Sequence, residues 1–185
     1  MDIFDTIIKR GSIRRFCPEQ IKTDELNKIL EAGEMAPIAS KNYDSMMITV
    51  IQDTTLLRKI GKTVGIYLGK SFIDPLYKAP ACVIISGKEY QPFQLGEGNK
   101  IPQPNLEYIN AGCIIENMTL AATDIGIGSV CITGALYAFT LDNNLLEQLN
   151  LPDNFRPLAG MVLGYPQKPL PNRRKRKWRI PVQYH

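Results

Sequence analysis

The chain has a single histidine, and it is the last residue, His185. That rules a histidine-based catalytic triad out of the body of the protein and leaves a zinc site with cysteines only. The four cysteines, Cys17, Cys82, Cys113 and Cys131, lie too far apart for a metal-ligand motif, so no metal is expected. Cys82, Cys113 and Cys131 fall within apolar stretches and are expected to be buried free thiols of a reducing compartment, the cytoplasm. No apolar run reaches membrane-spanning length, and the acidic N-terminal stretch lacks the form of a signal peptide, so no membrane partner is expected. A Walker A loop is absent. The glycines of 126–134 do not make a dinucleotide fingerprint either, because they follow a helix and precede a strand, the reverse of that motif.

What is present is an ordinary globular composition: 44% hydrophobic and 22% charged residues in 185, enough for one domain with a sizeable core. The net charge of +4 is local. Residues 172–185 hold six basic residues and no acid, which leaves 16 basic against 18 acidic residues elsewhere, a body of net −2. A nucleic-acid or targeting patch is one use for such a tail, but the slightly acidic body argues against it, so no nucleic-acid partner is expected. The interleaved Trp178, Ile180, Val182 and Tyr184 suggest another, docking on a second subunit.

The most distinctive stretch is Arg10-Gly11-Ser12-Ile13-Arg14-Arg15-Phe16. Apolar residues at helical spacing over 3–8 predict a helix across 2–10, with Gly11 stopping it by a left-handed turn. Beyond it the chain is expected to be extended, with Ser12 and Arg14 on one face and Ile13 and Arg15 on the other. Arg10 can join the first face. Two guanidinium forks and a hydroxyl suit a phosphate, although arginines near a helix end can also merely offset its dipole.

Further on, Thr23 is a plausible N-cap for a helix ending before Pro37, and Asp53 caps another over roughly 54–61. Met46–Ile51, Ala81–Ser86 and Pro157–Leu163 read as strands buried on both faces. Residues 87–105, with three glycines and three prolines, read as a long loop that is a lid, a dimer contact or a surface excursion. The strongest helix spans 106–125, with Ala111, Ile114, Ile115, Met118, Ala121, Ala122 and Ile125 inward. Gly126 ends it, Val130-Cys131-Ile132 forms a short strand stopping at Thr133-Gly134, and Asp142 caps a short helix over 143–149.

Four of these stretches, in order, resemble the nitroreductase family of FMN-dependent oxidoreductases. Residues 10–16 resemble its R-x-S-x-R-x-F opening, and Glu31-Ala32-Gly33-Glu34-Met35-Ala36-Pro37 resembles its "EAARWAP" helix end. Residues 126–134 resemble its "GLGSCWIGG" turn, and Leu163-Gly164-Tyr165-Pro166 with the basic tail resembles its "LGYP…RK" ending. The resemblance covers nearly the full chain. It implies an α+β fold, a three-layer α/β/α sandwich with a mostly antiparallel sheet. It also implies an intertwined homodimer whose C-terminal arms wrap the partner, with two FMN sites at the interface.

Carried over residue by residue, the resemblance places Arg10, Ser12 and a tail cation (Arg174 and Arg176 favoured over Lys175) around the FMN phosphate. Arg14 would reach the flavin N1/O2 edge, Thr133 and Gly134 would meet N5 through the backbone, and Pro37, Ile38, Ala39 and Ser40 would cover the flavin from the partner. No side chain is expected to act as acid or base, because the flavin carries the chemistry. The implied reaction takes a hydride from NADH or NADPH to a nitroaromatic, quinone or similar small acceptor in ping-pong order. The alternative is a flavin store or sensor of the same fold. One departure stands out: where the family reads "APSAGNRQPWRF", this chain reads Ala36-Pro37-Ile38-Ala39-Ser40-Lys41-Asn42-Tyr43-Asp44-Ser45-Met46-Met47. Lys41 replaces the asparagine and is expected near the substrate cleft, favouring an anionic acceptor or cofactor phosphate; a solvated surface lysine is the other possibility.

Overall fold

A computed structural model describes residues 2–69, 74–90, 93–95, 99–101, 105–170 and 180–185. Four strands make one antiparallel sheet in the order β1 (Met46–Ile51), β2 (Ala81–Lys88), β6 (Phe155–Gly164), β5 (Gly128–Ile132). The period of two along each strand divides the core. Cys82 and Ile84 of β2, Val162 of β6, and Val130 and Ile132 of β5 face α3 (Thr54–Tyr67), α5 (Gly134–Leu141) and α6 (Asn143–Glu147). Ala81, Val83 and Ile85, with Met161 and Leu163, face α2 (Thr23–Glu34) and α4 (Leu106–Asp124). The result is the expected three-layer α/β/α sandwich.

Several local expectations change. The helix α1 (Ile3–Lys9) ends as Arg10 turns extended (φ −51°, ψ 132°), so Gly11 makes no left-handed stop. Its inward residue is Thr6, whereas Ile3, Phe4 and Ile7 are exposed. Thr23 is the first residue of α2 rather than its cap, which falls on Lys22 with no side-chain bond. Strand β1 is half-buried because it is a sheet edge, not a central strand. Asp53 does cap α3, accepting from Leu56 N at 2.6 Å, but the helix runs on to Tyr67. Asp142 caps α6 by accepting from Asn144 N at 3.0 Å. Helix α5 went unforeseen, since its apolar run carries no polar face. Within 87–105 the end of β2 is followed by a short hairpin, β3 (Phe93–Leu95) with β4 (Asn99–Ile101). The proposed tail contacts Arg174, Lys175 and Arg176 lie outside the described residues.

Helix α4 is central as predicted, packing on α2 and on β2, β5 and β6. Gly126 ends it with φ 82°. Its enclosed face also carries polar groups: Glu107, 1% exposed, accepts from Arg156 Nη2 at 3.0 Å.

Candidate functional site

The site forms where Ser12 and Ile13 join the free edge of β5 near its start and Phe16 and Cys17 join the segment just past β6. Ser12 bridges Ser129 in parallel, Ile13 N donates to Ser129 O at 2.9 Å, and Cys17 N donates to Tyr165 O at 2.8 Å. Ile13 packs against the core and Phe16 is buried in it. The close approach is possible because Gly128 has no side chain; a Cβ there would stand 2.9 Å from Ile13 Cγ2. With Ile13 and Phe16 directed inward, Ser12, Arg14 and Arg15 are exposed, so the predicted alternation holds to Arg14 and breaks at Arg15.

Arg10 lies beside the same edge. Its Nε is 3.6 Å from Glu116 Oε1, a pair open enough to water to be weak. Cys131, expected to be buried, is exposed there, and Cys113 is half-buried. Although the residue is exposed, partial loss of hydration among its neighbours, and then the Glu116 carboxylate, push the Cys131 thiol up, while the Arg10 guanidinium pulls it down. The thiol thus feels both charges. The Arg14 guanidinium carbon stands 5.8 Å from the centre of the Tyr77 ring. At the end of β5, Thr133 is the N-cap of α5 and makes no side-chain cap bond. Gly134 packs so tightly on Pro75 that a Cβ would stand 2.5 Å from the proline Cβ.

The second group of predicted residues, Pro37 to Lys41, lies elsewhere. It leads into β1, the strand at the opposite edge of the sheet from β5. Ser40 and Lys41 both adopt left-handed backbone, φ 57° and 54°, and both are exposed. Holding two such residues costs on the order of 1–3 kcal/mol each, so the surroundings must enforce them. Asn110 Oδ1 accepts from Ala39 N at 3.0 Å, Tyr90 OH donates to Ala39 O at 3.0 Å, and Asn110 Nδ2 donates to Tyr90 OH at 3.2 Å. Neither Tyr90 nor Asn110 was singled out from the sequence. The available signal was Asn110, an amide four residues before Ile114 on the apolar face of α4.

The fold and this polar edge define a class: an α/β/α sandwich on an antiparallel sheet, presenting two guanidinium groups and a hydroxyl beside a helix start. The comparisons with known proteins name it. The family model for the nitroreductase family matches residues 7–66 and 69–165. The chain belongs to the nitroreductase family. It is 27% identical to an FMN reductase [NAD(P)H] of Bacillus subtilis, over 98% of this chain and 71% of the relative. Among solved structures it resembles a nitroreductase with bound FMN from Bacteroides fragilis, with 26% identity, TM-score 0.78 and full coverage of both chains. A nitroreductase with bound FMN from Desulfitobacterium hafniense has TM-score 0.79 at 18% identity, over 100% of this chain and 99% of that one, a likeness of fold.

The donor set fits an FMN. Arg10, Ser12 and Arg14 offer charged and neutral donors on one exposed edge, and the Arg10–Glu116 contact is weak enough for a phosphate to displace. The start of α5, which the Thr133 side chain does not cap, offers backbone N–H groups that suit an acceptor atom.

Proposed function

We propose that this protein is an FMN-dependent NAD(P)H oxidoreductase acting on small acceptors such as quinones and nitroaromatics. The observation that carries this is the donor set of half-buried Arg10 and exposed Ser12 and Arg14 beside the start of β5. The chemistry that a bound FMN would supply is hydride transfer from NADH or NADPH to the acceptor, in ping-pong order. Arg10 and Ser12 hold the phosphate, joined by Arg174 or Arg176 of the tail. Arg14 would reach the N1/O2 edge, where its charge would favour the negative charge of reduced flavin. Thr133 and Gly134 supply backbone donors toward N5, and Lys41 attracts an anionic acceptor or the nicotinamide cofactor's phosphates.

The placement of Pro37, Ile38, Ala39 and Ser40 at the far edge of the sheet supports a site completed by the partner of a homodimer. Exposed Ile3, Phe4, Ile7 and Met35 support it too, with Ile3 and Met35 lining a groove of about 430 Å³ beside α4. Ile180, Val182 and Tyr184 are likewise exposed, as an arm exchanged between subunits requires. Among the described residues no helix is long and apolar enough to cross a membrane, and free thiols suit the cytoplasm.

Titrating FMN into wild type and into Arg14→Ala by flavin fluorescence tests the assignment. A charge-assisted contact is worth about 1.5–3 kcal/mol, so the variant should bind about ten- to a hundredfold more weakly. Equal affinity would overturn the placement of Arg14.

A further inference from the structure

Residues 74–78 form a tight turn. Tyr77 and Lys78 are consecutive residues with left-handed backbone, φ 56° and 55°. Neither is glycine, so the turn must be enforced from outside. The Asp74 carboxylate enforces it, Oδ1 accepting from Leu76 N at 2.9 Å and Oδ2 from Lys78 N at 3.0 Å. Leu76 is buried in the core beneath, and half-buried Tyr77 packs against the same cluster. Two sides of the turn meet the site. Pro75 lies against Gly134 so closely that no side chain fits there, and the Tyr77 ring stands 5.8 Å from the Arg14 guanidinium carbon.

We infer that Tyr77 is a positioning residue for Arg14. The turn braced by Asp74 holds an aromatic ring beside an otherwise exposed guanidinium and so keeps it aimed along the β5 edge. An arginine on a surface loses rotamer freedom when it binds, and a ring already beside it reduces that loss. The braced turn also touches Gly134, so one unit supports both Arg14 and the start of α5. This inference rests on the FMN reading above and adds a residue to it.

The test compares wild type with Tyr77→Leu, Tyr77→Phe and Asp74→Ala, measuring the FMN dissociation constant by fluorescence and the midpoint potential of the bound flavin. Leucine keeps the apolar packing and loses the ring. Affinity should fall about two- to fivefold, the range a surface cation–π contact supports. The potential should move negative, because a wandering Arg14 stabilises the reduced flavin less. Phenylalanine, which keeps the ring, should restore both values. Asp74→Ala should reproduce the leucine result by releasing the turn, and it carries the test if Tyr77→Leu does not fold. Wild-type affinity and potential in folded Tyr77→Leu or, in its stead, in Asp74→Ala would overturn the inference alone. Wild-type protein that takes up no FMN would overturn it together with the reading beneath it.

Discussion

The exposure of Ser12 and Arg14 follows from where Ile13 goes. Its side chain occupies the space left open by Gly128, and its N–H joins Ser129 O, so its neighbours on either side turn outward. This much was legible, because a period of two is local. The environment of Arg14 was not, since Tyr77 is 63 positions further along, in a turn whose signal, Asp74-Pro75, says nothing of what the turn packs beside. The opposite case is Lys41, which was picked out by departing from a family pattern, and which stands exposed on left-handed backbone. Lys41→Ala should raise the KM for NADPH or for an anionic quinone severalfold while leaving kcat nearly unchanged. Steady-state kinetics check this, and unaltered KM values for both would return Lys41 to the role of a solvated surface residue.

Among the elements, strands β2 and β6 were legible because central strands carry uninterrupted apolar runs. Strand β1 carries the same run yet lies at an edge of the sheet, half-buried. An apolar run alone does not separate a central strand from an edge strand. Helix α5 was missed for a related reason: Gly134–Leu141 is apolar around most of its circumference and shows little helical periodicity. Its first residue is fixed by contact rather than by conformation, Gly134 having no room for a Cβ beside Pro75. Gly134→Ala should therefore destabilise the protein by about 1–3 kcal/mol through overpacking. Thermal unfolding reads this as a lowered midpoint; an unchanged one would mean that the 74–78 turn yields freely.

For the whole molecule, the two core layers meet at the sheet, and Cys82 lies in the middle of it, fully buried. Burial pushes its thiol up from 9.0 to about 12. In the unfolded chain the thiol ionises near its ordinary value, so between the two values the folded state keeps a proton that the unfolded state releases. Stability is thus unaffected below about pH 9 and is lost as pH rises toward 12, by about 1.4 kcal/mol per unit for this group. Urea unfolding at pH 8 and pH 10 should show a larger loss for wild type than for Cys82→Ala. Equal losses would mean that Cys82 titrates normally in the fold.

Also at this scale, Arg10, Ser12 and Arg14 lie by β5 and Pro37–Lys41 lead into β1, at the two edges of one sheet, which is the arrangement that a site shared between two copies of the chain requires. The resemblance supplied the residues, while the strand order sets β1 and β5 at opposite edges of the sheet. The account stands most directly on the absorbance spectrum of purified protein supplied with FMN, cleared of unbound flavin, and treated anaerobically with NADH and then NADPH. It predicts retained flavin bands that bleach with at least one nucleotide and return on adding a quinone. Bands that never bleach would contradict the oxidoreductase and leave a flavin store or sensor, and a protein that retains no FMN would contradict the flavin site itself.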